Sequence, residues 1–326
     1  MSESPIILSA TDADLPRNIP SGIGRYTGFR DMARGGSARL RSCYDRVTGR
    51  TVVIKSLLPE SLLDRRERRR LLREARITAQ LQHPNTVPVY DIGEDETEGI
   101  YFVMKRISGE NLFEILKRIA RGDEATCQAF PIIRRIEIIA DACQALAYAH
   151  ARGVIHRDVK PENIWVGNFG EVILLDWGVA KVWGAADDDA PMRQSTLRPA
   201  DEAAASEGHS PGLSLTSLDQ RPGTPLYMSP EQVAGKRSID ERSDVFSAGV
   251  CLYEVLAIRE PFKGGNIEET FHNILNCQVP PPSERSPDAG IPSSADQVVM
   301  RALQKNPALR YQSIREMVHD LREIDV

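Results

Sequence analysis

The chain has 326 residues, a length that suggests two domains or one large domain with two lobes. Hydrophobic residues make up 41% and charged residues 27% of it, which is ordinary for a globular protein and excludes a chain that is disordered throughout. The formal charge of -5 argues against a nucleic-acid-binding protein that relies on bulk positive charge.

The five cysteines are widely spaced, and no two of them form a CxxC pair. This spacing predicts neither a disulfide framework nor a zinc site, so we expect reduced thiols in a cytoplasmic protein. The N-terminus has no basic stretch followed by an apolar one, and no window reaches the length of a membrane span. We therefore predict no signal peptide and no membrane span, and we expect the apolar stretch 246–258 to be a buried helix.

The N-terminal third is predicted to be rich in strands. Residues 1–24 are polar, contain prolines and are predicted to form a flexible leader. Short apolar runs then predict strands over 51–55, 86–92 and 100–104. One helix is predicted over 60–82, because apolar side chains recur there at helical spacing and Pro84 follows.

The rest of the chain is predicted to be mainly helical, with helices over 132–151, 243–258, 293–303 and 312–324. Segment 184–220 interrupts this pattern, because it holds seven Ser or Thr and seven Asp or Glu but few large apolar residues. Such a composition predicts a disordered loop.

Residues 156–163, HRDVKPEN, carry the strongest chemical signal. Asp158 can accept or orient a hydroxyl proton, and Lys160 can neutralise charge on a phosphoryl group in transfer. Asn163 can hold a magnesium ion through its carbonyl oxygen. Asp176 follows an apolar strand and precedes a glycine, which suits a metal-binding turn. Together these residue types indicate phosphoryl transfer.

The octapeptide matches the catalytic loop of protein kinases, HRDxKxxN, and other motifs follow in the order of that family. Residues 176–178, DWG, resemble the DFG motif with Trp177 in place of phenylalanine. Residues 52–55, VVIK, resemble the strand of the ATP-binding lysine, and residues 223–231, GTPLYMSPE, resemble the end of the activation segment. From about 26 to 324 the chain therefore resembles the eukaryotic-type (Hanks-type) serine/threonine protein kinases, most closely their bacterial members.

The resemblance implies an α+β, bilobed fold for a kinase domain over 25–326. A small β-rich lobe with one helix would cover 25–107, a larger helical lobe would cover 108–326, and the site would lie in the cleft between them. It also implies ATP and Mg²⁺ (or Mn²⁺) as cofactors and transfer of the γ-phosphate to Ser or Thr hydroxyls of proteins, including the chain's own activation segment.

The resemblance also assigns roles to individual residues. It assigns catalysis to Asp158, Lys160 and Thr224, and it assigns metal binding to Asn163 and Asp176. The nucleotide-binding residues are Gly35, Gly36, Leu40, Val53, Lys55, Glu74, Met104, Lys105, Ile107 and Trp165. The regulatory and structural residues are Arg157, Trp177, Glu231, Asp244 and Arg310, with Glu231 paired to Arg310 and Asp244 bracing the catalytic loop.

Lys55 needs a carboxylate partner, because an unpaired ammonium on an apolar strand is costly. Glu74 and Glu67 both lie on the helix that follows. We favour Glu74, because it is central in the helix and Pro84 follows at the distance that the family shows.

Several positions depart from the family pattern. Ala33 and Ala38 occupy the outer positions of the glycine-rich phosphate loop, and alanine does not readily adopt positive φ, so we expect a stiffer or displaced loop. Val53 and Trp165 add volume where the adenine is expected, which predicts weaker ATP binding.

Two regulatory hypotheses follow from charge. One of Ser214, Thr216 and Ser217 is expected to be autophosphorylated and to dock on Arg157, and the alternative is that segment 184–220 is a passive acidic linker. The arginine run over 65–76 is either a solvated helix face or a docking site for an acidic partner.

Three functional classes remain open at this level. An active protein kinase is favoured, because every charge needed for catalysis is present. A pseudokinase scaffold is the alternative that the altered loop and Trp165 suggest. A kinase for a small molecule such as choline or an aminoglycoside is disfavoured by residues 223–231. Protein substrates are the expected partners, with no nucleic acid and no membrane span, and the resemblance also allows homodimerisation through the small lobe.

Overall fold

The computed structural model describes residues 19–182, 225–236 and 239–324. These residues divide into two compact units. The first comprises the described residues up to 82 together with Thr86–Ser108, and the second comprises His83–Asn85 and the described residues from 109 onward. The first unit is built mainly from strands and the second mainly from helices.

The first unit is an antiparallel sheet of five strands in the order β1-β2-β3-β5-β4. The strands are β1 (Tyr26–Arg34), β2 (Ala38–Asp45), β3 (Arg50–Leu57), β4 (Val89–Asp95) and β5 (Gly99–Lys105). The strands predicted over 51–55 and 100–104 are present, and the one predicted from 86 begins three residues later. β1 and β2 were not predicted, because polar and charged residues interrupt their apolar pattern.

One helix, α1 (Arg65–Gln80), packs on this sheet. It begins after Asp64, whose side chain accepts from two amides of the first turn, so it is shorter than the predicted 60–82. Its buried residues Leu71 and Ala75 form a core cluster with Leu57 and Phe102. Burial of an apolar face against the sheet is what stabilises a helix of this length.

The opposite side of α1 is basic. Six of the seven arginines over 65–76 are exposed, and the seventh, Arg68, donates to Glu94 at 2.8 Å. The described contacts do not distinguish a solvated face from a docking site, so both interpretations of this run stand.

The end of the predicted leader is ordered. Residues Gly22–Arg25 form a 3₁₀ turn, and Ile23 packs against the core cluster around Tyr26. Arg25 donates to both oxygens of Asp45, at 2.7 and 2.6 Å. These contacts attach the turn to β2.

The second unit contains nine α-helices within the residues that the structure describes. They are α2 (Leu112–Ala120), α3 (Glu124–Ala129), α4 (Ile132–His150), α5 (Pro230–Val233), α6 (Arg242–Ala257), α7 (Ile267–Asn276), α8 (Pro282–Arg285), α9 (Ser293–Ala302) and α10 (Ile314–Arg322). The four predicted helices are α4, α6, α9 and α10, each within two residues at either end. The short helices α2, α3, α5, α7 and α8 were not predicted.

Helix α6 is the centre of this unit. Every residue from Ser243 to Ala257 is buried, and α4 and α9 pack against it. The apolar stretch 246–258 is therefore a buried core helix, as predicted. No helix in the described part of the chain has the length and apolarity needed to cross a membrane.

Short strands of the second unit position its polar residues. β6 (Glu110–Asn111), β8 (Ile164–Val166) and β9 (Val172–Leu174) form a three-stranded sheet in the order β6-β8-β9. β7 (Val154–Ile155) pairs with β10 (Lys181–Val182). The loop 156–163 therefore runs from the end of β7 to the start of β8.

Candidate active site

The loop between β7 and β8 brings three predicted site residues into contact. The Lys160 ammonium donates to Asp158 Oδ2 at 2.6 Å. The Asn163 amide donates to the Asp158 backbone oxygen at 2.8 Å and to its Oδ2 at 3.3 Å. The Asp158 side chain is 34% exposed, so its carboxylate is both positioned by these donors and open to a substrate.

Asn163 and Asp176 lie at the same end of the β8–β9 hairpin. Ile164 pairs with Leu174, and the Leu175 amide donates to the Asn163 backbone oxygen at 2.8 Å. Because the strands are antiparallel, the residue before β8 lies beside the residues that follow β9. Asp176 has a left-handed φ of 63°, which is uncommon for a residue other than glycine and is enriched at functional sites.

The donor atoms at this end of the hairpin fit a hard cation. The Asn163 side-chain nitrogen bonds to the Asp158 backbone oxygen, so the Asn163 side-chain oxygen is the atom that could bind a metal ion. The carboxylate oxygens of Asp176 could supply the other protein ligands. Among the described residues there is no group of three or more His, Cys, Asp or Glu able to hold a metal by themselves. Mg²⁺ is commonly held by one or two protein oxygens together with phosphates and water, so this small set suits it.

Asp244 on α6 holds the backbone of the catalytic loop. Its two oxygens accept from the amides of His156 and Arg157, each at 2.8 Å. The His150 imidazole of α4 is a third partner at 2.8 Å. Burial acts to raise the pKa of Asp244, but the His150 hydrogen bond and the neighbouring imidazoles outweigh it, and the pKa is lowered.

The catalytic loop also contacts the turn that carries Asp176. The His156 Nε2 atom lies 3.0 Å from the Leu175 backbone oxygen, and the His156 Nδ1 atom accepts a hydrogen bond from the Asp158 amide at 3.2 Å. Trp177 is buried and meets the His156 ring edge-on, with the centroids 4.6 Å apart. These contacts connect the loop that carries Asp158 to the turn that carries Asp176.

Arg157 bonds to backbone groups on either side of the loop. Its Nε donates to the Val179 oxygen at 2.8 Å, and the Gln232 amide donates to the Arg157 oxygen at 2.9 Å. The predicted phosphate acceptors and the predicted catalytic Thr224 fall on residues outside the described part of the chain.

Glu231 and Arg310 form the ion pair that was predicted from the sequence. The guanidinium donates to both carboxylate oxygens, at 2.8 and 2.9 Å, and the Ser243 hydroxyl donates to the same carboxylate at 2.5 Å. Both side chains are buried, Arg310 completely. Burial acts to raise the pKa of Glu231, but the Arg310 hydrogen bonds and charge lower it to about 2.

In the first unit, Lys55 pairs with Glu74 across the β3–α1 contact at 2.6 Å. Glu67, the alternative partner, instead accepts from the Ser37 hydroxyl at 2.6 Å. Both members of the Lys55–Glu74 pair are mostly buried, with 18% and 10% of their side chains exposed. The prediction that Glu74, and not Glu67, pairs with Lys55 is therefore confirmed.

Four predicted nucleotide-binding residues share one face of the sheet. Leu40 pairs directly with Lys55, and Val53 pairs directly with Met104. Side chains directly opposite each other, and those two residues apart on one strand, point to the same side of a sheet. Lys105 ends β5 and is exposed, and Ile107 follows it half-buried. Trp165 belongs to the second unit, at the centre of β8 opposite Ile173.

Gly35 and Gly36 lie in the turn between β1 and β2, where the Gly35 amide donates to the Ala38 oxygen at 2.8 Å. None of Ala33, Gly35, Gly36 and Ala38 has a positive φ, and the two alanines lie in the strands. No residue at these four positions adopts a positive φ, and the expectation of a stiffer or displaced loop stays a prediction.

Three residues of the site were not identified from the sequence. His150 contacts Asp244, Ser243 donates to Glu231, and Gln232 donates to the oxygen of Arg157. Ser243 and Gln232 adjoin the motif residues Asp244 and Glu231, which was the available signal. Nothing in the spacing of His150 distinguished it from other residues of its helix.

The other residues of this site are the ones that the sequence motifs of protein kinases predicted, and comparison with known families agrees with that resemblance. The chain belongs to the family described as protein kinase domain, whose model matches residues 26–321. The antiparallel sheet with one helix and the mainly helical second unit are the α+β fold of that family.

Individual relatives are bacterial serine/threonine kinases. The chain is 31% identical over 300 residues to serine/threonine-protein kinase PknD of Protochlamydia amoebophila, covering 91% of this chain and 29% of that protein. It is 34% identical over 304 residues to the PknD of Chlamydia trachomatis serovar L2b, covering 90% of this chain and 31% of that protein. The chain thus spans about three tenths of the length of these curated relatives.

Proposed function

We propose that this chain is a serine/threonine protein kinase that transfers the γ-phosphate of ATP to Ser or Thr hydroxyls of proteins. The observation that carries the proposal is the contact set around Asp158, in which Lys160 and Asn163 both bond to one exposed carboxylate. Membership of the protein kinase family and similarity to serine/threonine kinases support the choice of reaction and acceptor.

In the proposed reaction Asp158 accepts a hydrogen bond from the substrate hydroxyl and receives its proton as the new oxygen–phosphorus bond forms. The oxygen–phosphorus bond to the nucleoside diphosphate breaks in the same transfer. Lys160 contacts Asp158 directly, so its positive charge is close to the charge that develops on the phosphoryl group. Thr224 is proposed to shape the acceptor site, and this role stays a prediction.

ATP and Mg²⁺ (or Mn²⁺) are the cofactors of this proposal. Lys55, held by Glu74, is proposed to bind the nucleotide phosphates, and the sheet face with Val53 and Met104 is proposed to receive the adenine. Asn163 and Asp176 would hold the metal ion. When it is bound, the metal neutralises charge on the phosphates.

Two further parts of the proposal concern the partners of the chain and its location in the cell. Autophosphorylation of Ser214, Thr216 or Ser217 with docking on Arg157 stays a prediction, as do homodimerisation and the lack of a nucleic-acid partner. We infer a cytoplasmic location, because ATP is the phosphate donor and all five cysteines are unpaired.

The test is transfer of labelled γ-phosphate from Mg-ATP to the chain itself and to a generic basic protein. We expect Asp158→Asn to reduce transfer at least a hundredfold, because the replacement amide cannot accept the hydroxyl proton. Asp288→Asn is the matched control, because Asp288 is exposed and its side chain makes no hydrogen bond or ion pair with a described residue. Equal transfer by wild type and Asp158→Asn would refute the assignment.

Nucleotide binding is tested separately through Lys55. We expect Lys55→Met to weaken Mg-ATP binding, measured by titration calorimetry, while Asp158→Asn binds ATP as wild type does. A wild-type chain that neither binds ATP nor transfers phosphate would instead support a scaffold without catalytic activity.

A further inference from the structure

A cavity lies within the helical unit. Its volume is about 520 Å³, which is in the range of pockets that bind small molecules. We call it the α4–α10 pocket, because residues of those two helices form most of its lining. The lining residues are His83, Gln144, Ala147, Tyr148, Arg315, Val318, His319, Arg322 and Glu323.

The α10 wall of the pocket is basic. Arg315, His319 and Arg322 are spaced by four and three residues, so they share one face of the helix. All three are exposed, and neither arginine has an ion-pair partner among the described residues. Two guanidinium groups therefore present unused N–H donors toward the same cavity.

The opposite wall is aromatic and polar. Arg152 stacks on the Tyr148 ring with its guanidinium carbon 3.7 Å from the centroid, and the His83 ring lies 5.2 Å from the same ring, centroid to centroid. The Tyr148 hydroxyl and the Gln144 side-chain amide make no hydrogen bond to another described residue. This wall therefore supplies neutral donors to a ligand, beside an aromatic ring that is already fixed in place.

Three carboxylates are close to this basic wall. Glu323 is part of the lining, Asp141 of α4 is within electrostatic range of Arg322, and Asp320 Oδ1 lies 4.0 Å from His319 Nδ1. At neutral pH the positive charge of the two lining arginines exceeds the negative charge of the one lining carboxylate. The His319 imidazole adds a further hydrogen-bond donor at the rim. The lining thus has a net positive charge, and its two arginines form no ion pair with any residue that the structure describes.

We propose that the α4–α10 pocket binds a phosphate monoester, with Arg315 and Arg322 bonding the phosphate oxygens and with Gln144 and Tyr148 contributing neutral hydrogen bonds. A planar guanidinium bonds two phosphate oxygens at once, and two such groups offer more donors than one carboxylate can accept. A phosphate monoester has three terminal oxygens and a charge near -2, which matches this set. The ligand is either a small phosphate ester or a phosphorylated side chain of a protein.

The test uses the full chain with its candidate nucleotide site filled by a non-hydrolysable ATP analogue and Mg²⁺, so that added phosphate does not bind there. Four probes are titrated: inorganic phosphate, a tripeptide with a central phosphoserine, the same peptide with serine, and the same peptide with glutamate. The readout is the imidazole NMR signals of His83 and His319, assigned with His83→Gln and His319→Gln among the six histidines of the chain.

A paired variant removes the basic wall. We expect Arg315→Gln with Arg322→Gln to weaken binding of the phosphorylated probe at least tenfold. The control removes two exposed arginines of the same unit outside the pocket, Arg121→Gln with Arg259→Gln, and is expected to bind as wild type does. Thermal melting of both double variants shows that the chain is still folded.

Each outcome decides the proposal. Tighter binding of the phosphoserine peptide than of inorganic phosphate supports it with a protein as the source, and equal binding supports it with a small phosphate ester as the source. The proposal is overturned if the glutamate peptide binds as tightly as the phosphoserine peptide. It is also overturned if no phosphorylated probe shifts the two imidazole signals, or if both double variants lose binding equally.

Discussion

The buried pair Glu231–Arg310 offers the sharpest test of how the helical unit is held together. Besides its two bonds to Glu231, the Arg310 guanidinium donates to three backbone oxygens, those of Gln304, Arg242 and Lys305. These bonds connect helix α5, the start of α6 and the loop between α9 and α10. We expect Arg310→Gln to destabilise the whole unit, because it leaves a buried carboxylate without its countercharge.

The size of the expected loss of stability follows from the lowered pKa of the Glu231 carboxyl group. A pKa of about 2 for Glu231, against an ordinary value of 4.5, corresponds to about 3 kcal/mol of stabilisation at neutral pH. Removing one partner of a buried pair typically costs about 3–5 kcal/mol. Because the folded-state pKa is lowered, this stability is complete above pH 4.5 and is lost as the pH falls from there toward 2.

The assay is urea unfolding followed by tryptophan fluorescence, since Trp165 and Trp177 both belong to the helical unit. At pH 7 we expect Arg310→Gln to lower the free energy of unfolding by about 3–5 kcal/mol, with the deficit shrinking below pH 4.5. Lys263→Gln is the control, because it breaks a half-exposed pair with Glu260 worth about 1 kcal/mol or less. A loss below about 1 kcal/mol in Arg310→Gln, or a deficit that does not change with pH, would refute the reasoning.

Other predictions test single contacts. Gly109→Ala is expected to lower the melting temperature markedly, because Gly109 has a φ of +100° and an added Cβ would overlap a neighbouring backbone oxygen. Gly36→Ala is expected to leave the melting temperature unchanged, since an added Cβ would meet nothing within 4 Å, and a large drop would contradict the open turn described here. Asp244→Asn is expected to reduce kcat for peptide phosphorylation at least tenfold with little change in the KM for ATP. The asparagine side chain cannot accept from both the His156 and the Arg157 backbone amides, as the two Asp244 oxygens do. An unchanged kcat would argue against a positioning role for Asp244. Tyr227→Phe is expected to cost about 1–3 kcal/mol in urea unfolding, because it removes the 2.6 Å bond to buried Glu254, and a neutral result would show that this carboxyl has another adequate partner.

Much of the catalytic loop was predictable because its contacts are local. Asp158, Lys160 and Asn163 lie within six residues, so the order of the chain alone brings them together once the loop closes. The long helices were also predictable, since their buried faces repeat at helical spacing over many residues. The strands β1 and β2 were not, because alternation is interrupted there. Their hydrogen bonds are made to other strands, β1 to β2 and β2 also to β3.

The partner of Lys55 shows where sequence reasoning needed support. Glu67 and Glu74 are seven residues apart, two turns of one helix, and so face nearly the same direction. Only the position of α1 along its axis on the sheet decides which carboxylate meets the lysine. That position is set by the packing of Leu71 and Ala75 against Leu57 and Phe102.

The sequence by itself determined the family, because its motifs consist of contiguous residues that stand in the family's order. The pairing of Glu231 with Arg310, which are 79 residues apart, was predicted only through the resemblance to that family. Tertiary structure decided that the turn at Gly35 needs no left-handed residue and that His150 supports Asp244. It also decided that residues of α4 and α10 line one basic cavity. The physical reason is that these features depend on contacts between distant segments, whose distance and register follow from packing and from no local pattern.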